Sequence, residues 1–365
     1  MPELRIGIVG CGRIADEHAA QIQRISGCTI VGVCDREELM AQQLADRFKV
    51  KGCYADFDEF LKKAQPHVVH ITTPPQSHYG LGLQALDAGC HVFMEKPFTV
   101  TADETVDLIR RAENRSLKIT VDHDEQFSHA ALRMRQLIRG GYLGGPPVHM
   151  ESYYCYDFGN QQYARALLGD RSHWVRRLPG QLLQNNISHG LARVAEYLQG
   201  ESPAVTAHGF TSDFLKEMGE TEIIDELRVI IDDRRGCTAY FTFSSQMRPT
   251  LRHFRVYGPH NALIMDHDQQ TLIRVKGSRF KSYLEKFIPP WNYARQYGSN
   301  SILNIKSFLR NDFHMKSGMK RLIEAFYRSI VEDKPVPIPY REILLTARMM
   351  DDIFVQVRRS SESTG

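Results

Sequence analysis

The sequence predicts two architectures in one chain: a doubly wound parallel α/β sheet, then an α+β half built on an open antiparallel sheet with flanking helices. Three observations carry this. From residue 4 to about residue 122, apolar runs without helical period alternate with helical patterns. Glycines follow the first apolar run at once, as they do where a buried parallel strand feeds a helix. Beyond residue 122 the apolar runs mostly alternate with polar residues and are separated by turn signals. A length of 365 residues suffices for two cores. The expected domains are 1–122 and 123–365, with the final helix free to pack back on the first.

The elements follow in order. Leu4 to Val9 reads as a strand, and the helical spacing of Ile14, His18, Ile22 and Ile25 as the helix after it. Thr29–Cys34 is the next strand, closed by Asp35; Leu39 to Phe48 and Asp58 to Ala64 read as helices. Val68 to Thr73 is a strand stopped by Pro74 and Pro75, which bring no ladder donors. His78 to Ala88 is a helix that Gly89 ends, and His91 to Met94 a strand. Thr101 to Asn114 opens with Thr101-Ala-Asp-Glu104, a capping box, and Leu117 to Val121 closes the series. In the second half, strands are expected at Val148–Tyr154, Val205–Thr211, Leu227–Ile231, Thr238–Ser244 and Phe254–Tyr257. Helices are expected at Ala130–Arg139, Ile187–Leu198, Lys320–Val331 and Arg341–Arg359. Residues 276–317 show no clean period and read as a long excursion, a lid or an oligomer contact.

Composition removes several function classes. Lys and Arg number 46 against 43 Asp and Glu, and no clustered basic excess suggests a nucleic-acid partner; Arg171 to Arg177 is a local group broken by Trp174 and Val175. No apolar stretch approaches the roughly 20 residues that span a bilayer, and no signal peptide is visible, so no membrane partner and a cytoplasmic location are expected. The seven cysteines include no Cys-x-x-Cys pair and read as buried thiols. Histidines are scattered without His-x-x-x-His spacing, so no metal site is expected.

Gly10-Cys11-Gly12-Arg13-Ile14-Ala15 fits GxGxxA between a strand and a helix. Gly10 permits the tight turn, Gly12 lets backbone approach a pyrophosphate, and Ala15 keeps the helix close to the sheet. The helix N-terminus supplies free N–H groups to phosphates. Asp35 ends the next strand, where a carboxylate accepts from a ribose diol and repels a 2′-phosphate. Arg36 beside it suits a 2′-phosphate, yet Asp35 makes NAD the expected cofactor over NADP.

Gly10–Ala15, Thr72-Thr73-Pro74-Pro75 with His78, and Ala88-Gly89-Cys90-His91-Val92-Phe93-Met94-Glu95-Lys96-Pro97 together resemble the Gfo/Idh/MocA oxidoreductase family, the last segment being close to its AGKHVxxEKP hallmark. The resemblance implies an N-terminal Rossmann domain and a secondary alcohol of a sugar, inositol or nucleotide sugar oxidised or reduced with NAD(P). It places Thr72, Thr73, Pro74, His78, Glu95, Lys96 and Pro97 around the cofactor, with Lys96 beside the reacting hydroxyl. Pro97 disfavours helical geometry before it, and a cis bond there is expected to be open to it.

Pro179 to His189 resembles the family's second catalytic element, GGxLxDxGxH, at a helix start. His189 matches its histidine, the expected general base, with an ordinary pKa near 6.5 that suits proton transfer. Asn185 stands where aspartate is common; four residues from His189 on a helix, both would face one cleft. Asparagine can orient a hydroxyl but supplies no negative charge. His123, Trp174 and Tyr154 are candidate substrate contacts, within an aromatic group that includes Tyr153, Tyr156 and Phe158. An NAD-recycling glycosidase, a keto-sugar reductase and a non-catalytic NAD-binding regulator stay open as alternatives. A carbohydrate substrate and a homodimer or homotetramer are the expected partners.

Overall fold

In the computed structural model, the structure describes residues 3–157, 164, 168–277, 280–314 and 316–362. The chain forms two compact units, residues 1–124 with 318–348 and residues 125–317 with 349–365.

The first unit carries a six-stranded sheet in the order β3-β2-β1-β4-β5-β6, every pair parallel. Its strands are β1 (Leu4–Val9), β2 (Cys28–Cys34), β3 (Cys53–Tyr54), β4 (Val68–Ile71), β5 (His91–Met94) and β6 (Ile119–Val121). Helices α1 (Arg13–Ile22), α2 (Glu38–Phe48), α3 (Phe57–Ala64), α4 (His78–Asp87) and α5 (Ala102–Asn114) connect them. This is the strand order of a dinucleotide-binding fold, whose crevice opens where the order reverses between β1 and β4. The two residues of β3 are too short to leave a pattern in the sequence. The capping box at Thr101 is present: its hydroxyl accepts the Glu104 N–H, and the Glu104 carboxylate accepts the Thr101 N–H. Cys11, Cys34 and Cys90 are buried in this core, and burial pushes the Cys34 thiol up to about 12.

The second unit is built on seven strands: β7 (His149–Cys155), β8 (Ala204–Phe210), β9 (Glu226–Asp232), β10 (Thr238–Ser244), β11 (His253–Tyr257), β12 (Asn261–Asp266) and β13 (Thr271–Lys276). Their order is β13-β12-β11-β7-β10-β9-β8. The sheet is mixed rather than wholly antiparallel, because β7 and β10 run parallel. More than 80 residues separate their starts, ample for a crossover that returns the chain in the same direction. Helices α6 (His129–Arg139), α7 (Gln181–Asn186), α8 (Ser188–Ala195), α9 (Asp213–Glu217) and α10 (Leu284–Leu309) belong to this unit; of the last two helices, α11 (Ser317–Val331) falls almost wholly in the first unit and α12 (Tyr340–Glu362) is divided at residue 348.

Although 276–317 show no clean period, 26 of those residues form α10. Two features hid it from a pattern search. Pro289 and Pro290 lie in its first two turns, and the face toward the protein carries amides instead of apolar residues.

Candidate active site

The loop after β1 is shaped for a phosphate. Gly10 has φ +89°, and a Cβ there would lie 2.7 Å from the Thr73 nitrogen, so only glycine fits. The Thr72 hydroxyl donates to the Gly10 carbonyl at 2.6 Å and fixes the loop from below. Gly12 caps α1 without a side-chain hydrogen bond, and a Cβ there would meet no atom within 4 Å. Open floor and uncapped helix N–H groups are what a pyrophosphate requires. Ala15 is buried against the sheet, while Arg13 and Arg36 are exposed. At the end of β2, Asp35 accepts the Cys11 N–H at 2.7 Å and the Glu37 N–H at 2.9 Å, which holds its carboxylate at the rim. These residues fit a dinucleotide with a free ribose diol.

Glu95-Lys96-Pro97 follows β5, and the Lys96–Pro97 bond is cis. His78 ties this turn to the preceding loop: its Nδ1 lies 3.0 Å from the Pro97 carbonyl and its Nε2 2.8 Å from the Thr73 carbonyl. Burial lowers its pKa, so the neutral ring donates through one nitrogen at a time. It thereby links the Thr73 and Pro97 loops through one ring. His123 follows β6 and is buried, with its N–H donating to the Val121 carbonyl.

Beneath the turn runs a hydrogen-bonded chain that the sequence reading missed. Tyr327 OH lies 2.8 Å from His70 Nε2, His70 Nδ1 2.9 Å from His18 Nδ1, and His18 Nε2 2.9 Å from Glu95 Oε1. The other Glu95 oxygen accepts the Lys96 N–H at 2.9 Å. Burial, then the charge of His18, hold His70 well below its ordinary pKa. At this end of the chain His18 Nε2 donates to the carboxylate, and the neutral His70 ring continues the chain through one donor and one acceptor nitrogen. The tautomer of His70 sets which way the bonds to His18 and Tyr327 run. Burial opposes ionisation of Glu95, but the His18 hydrogen bond and charge with Lys96 prevail and hold its pKa well below the usual carboxylate range. Asp122 Oδ2 approaches His18 Nε2 to 3.6 Å. The donor types of His18, Glu95 and Asp122 could suit a cation, but the ring is engaged at both nitrogens, so the cluster reads as support for the turn.

In the second unit, α7 and α8 meet at Ile187, which keeps right-handed helical geometry, so the spacing of Asn185 and His189 survives the join. Asn185 and His189 are the half-exposed positions in an otherwise buried stretch from 182 to 195. Gly190 allows the approach to the sheet, since a Cβ there would lie 2.4 Å from the Phe241 ring. Tyr154 is buried, its ring 6.0 Å from that of His189, and its hydroxyl donates to Glu125 Oε1 at 3.1 Å. It therefore supports the helix from below, whereas Tyr153 is half-exposed. Trp174 opens a short 3-10 turn, half-exposed and 5.3 Å from the His173 ring; Phe158 lies outside the described residues.

Glu125 is the centre of a second buried cluster without a sequence signature. Arg193, four residues beyond His189, donates to its Oε2, and Arg252 Nη1 lies 3.5 Å from its Oε1. Burial opposes its charge, but His267, Arg193, His189 and Arg252 prevail and hold it well below the usual carboxylate range. Burial lowers His267 to about 4, so at neutral pH that ring adds no charge, while Arg193 and Arg252 remain cations beside the carboxylate.

Residues 4–123 match the model of the Gfo/Idh/MocA family, described as an oxidoreductase family with an NAD-binding Rossmann fold. A D-glucoside 3-dehydrogenase of Escherichia coli is 31% identical over 142 residues, 39% of this chain and 40% of that protein. The chain thus spans about two fifths of the length of the curated relatives it matches. Two solved structures share the fold across the chain. A UDP-N-acetylglucosamine 3-dehydrogenase from Acidithiobacillus ferrooxidans has TM-score 0.74 and 20% identity over 98% of this chain and 99% of that one. The WlbA dehydrogenase from Bordetella pertussis, solved with NADH and UDP-GlcNAcA, has TM-score 0.78 and 15% identity over 98% and 96%. Residues 4–123 thus match the NAD-binding Rossmann domain of the Gfo/Idh/MocA oxidoreductase family.

Proposed function

We propose that the protein is an NAD-dependent dehydrogenase that oxidises a secondary alcohol of a sugar, glycoside or nucleotide sugar. The observation that carries this is the Glu95-Lys96-Pro97 turn, where the buried carboxylate of the residue after β5 fixes the Lys96 backbone. The dehydrogenases similar to this chain act on such substrates by name.

NAD, when bound, would supply the acceptor for the hydride of the carbinol carbon. The protein's part is to take the hydroxyl proton and to steady the oxygen as charge develops on it. His189 is the proton acceptor in this reading. Lys96 presents a cation to the oxygen, and Asn185, half-exposed one turn before His189, orients the hydroxyl. The Asp35 carboxylate favours the ribose diol of NAD over a 2′-phosphate.

The test is a panel of sugars, glycosides and nucleotide sugars offered with NAD, read by the absorbance of reduced nicotinamide. Turnover of at least one member, lost in His189→Ala, supports the reading. Release of a free sugar from a glycoside without net reduced cofactor would replace it with a glycosidase, and NAD binding with no turnover across the panel would leave a binding module.

A further inference from the structure

The least conventional surface of the second unit is α10. Its side toward the sheet is polar. Gln296 exchanges two hydrogen bonds with the Arg274 backbone, accepting from the nitrogen at 2.8 Å and donating to the carbonyl at 3.1 Å. Asn300 does the same with Leu272, both at 3.1 Å, and Asn304 donates to the Gln269 carbonyl at 2.9 Å. These amides replace a neighbouring strand on β13, an edge of the seven-stranded sheet. The match is geometric: four helical residues rise about 6 Å, close to the roughly 6.6 Å of two strand residues.

Because amides hold the helix down, its apolar residues face away. Leu284, Phe287, Trp291, Ile302, Ile305 and Leu309 lie on the opposite side by helical spacing, and all are exposed, Phe287 by 67%, Trp291 by 68% and Leu309 by 75%, whereas Asn300 is 4% exposed. Arg295 and Lys306 fall at the margin of this stripe. Residues 280–314 hold five Lys and Arg against two Asp and Glu, a net charge of +3 that equals the charge of the whole chain. Beside the helix, a cavity of about 450 Å³ is lined by Arg274, Lys276 and Arg295 with Tyr142, Tyr293 and Glu285.

We infer that α10 is a docking face for an anionic lipid surface, lying in the plane of the interface with its apolar stripe inserted and its cations toward headgroup phosphates. An apolar stripe with Trp, Phe and Leu, bordered by cations, is the pattern of interfacial helices. The expectation of no membrane partner rested on the lack of a spanning segment, and none of the described helices is long and apolar enough to cross; lying on a surface needs no such length. A second copy of the chain fits less well. Its cations would face the same cations, and the small Ala294 and Gly298 occupy the middle of the stripe, where a rigid helix–helix seam would leave a gap.

The experiment is co-sedimentation of the full chain with phosphatidylcholine vesicles, with and without phosphatidylglycerol. The Trp291 emission is followed in a Trp174→Phe background. At least tenfold stronger sedimentation with the anionic vesicles is expected, with a blue shift of Trp291 and weakening by raised salt. Lys306→Glu with Arg310→Glu, both exposed, should reduce binding at least tenfold while leaving NAD binding intact. Absence of binding overturns the inference, as does equal binding to both vesicle types. So does a dimer whose hydrogen exchange is protected over 284–309 and which does not bind vesicles. The wild-type comparison decides even if the charge-reversed variant folds poorly.

Discussion

His18 Nε2 sits 2.9 Å from Glu95 Oε1, and the other oxygen of the same carboxylate holds the Lys96 N–H at 2.9 Å. A buried imidazole and the backbone of the proposed catalytic lysine are thus joined through one side chain. Glu95→Gln keeps the shape but offers an amide where His18 needs a carboxylate. It is expected to cost about 1–3 kcal/mol in urea unfolding and to lower kcat more than it raises KM. Unchanged stability and turnover would show that the buried chain is incidental to the turn.

The two loop glycines should separate fold from cofactor binding. Gly10→Ala meets the Thr72–Thr73 backbone at positive φ and is expected to lower stability by about 1–3 kcal/mol while abolishing NAD binding. Gly12→Ala adds a methyl to open space, so its unfolding midpoint should stay close to wild type. Its NAD affinity, measured by calorimetry, should fall because that space is where the pyrophosphate belongs. Equal affinity in Gly12→Ala would move the phosphates elsewhere.

Acid should destabilise the chain in two stages. Burial lowers His91 and His267 to about 4, while in the unfolded chain each titrates near 6.5. The unfolded state therefore takes up protons first, and stability falls as pH drops from about 6.5 to about 4. Glu95 and Glu125 have depressed values, so their contribution is present above the ordinary carboxylate range and is lost as pH falls below it. Urea midpoints measured from pH 7.5 downward should decline through both ranges. A flat profile between pH 6.5 and 4.5 would contradict the buried neutral histidines.

Asn185 gives a direct test of the electrostatics around His189. Asn185→Asp places a carboxylate one turn away, and the acid limb of the pH–rate profile should move to higher pH. An unmoved limb would mean that the two side chains do not share an environment.

What could be read from the sequence follows contact distance along the chain. The glycine turn, the β4 and β5 strand ends and the Thr101 cap are local, and each is signalled within a few residues. His189 came through a motif of eleven residues. The support chain instead joins residues 18, 70, 95 and 327, and the Glu125 cluster joins residues 125, 193, 252 and 267. No local period records such pairings, and a histidine with a buried partner reads like any other histidine. Helix α10 was hidden for another reason: its apolar residues point outward, and Pro289, Pro290, Ala294 and Gly298 break their period.

The central claim is that Lys96 and His189 assist one oxidation at a sugar hydroxyl. The most direct measurement compares single-turnover formation of reduced nicotinamide in the wild type, Lys96→Met and His189→Ala, with NAD affinity measured in parallel and the substrate drawn from the panel. The account expects rates about 10²–10⁴-fold lower in each variant with NAD affinity retained. Reduced nicotinamide formed at the wild-type rate by either variant would contradict it.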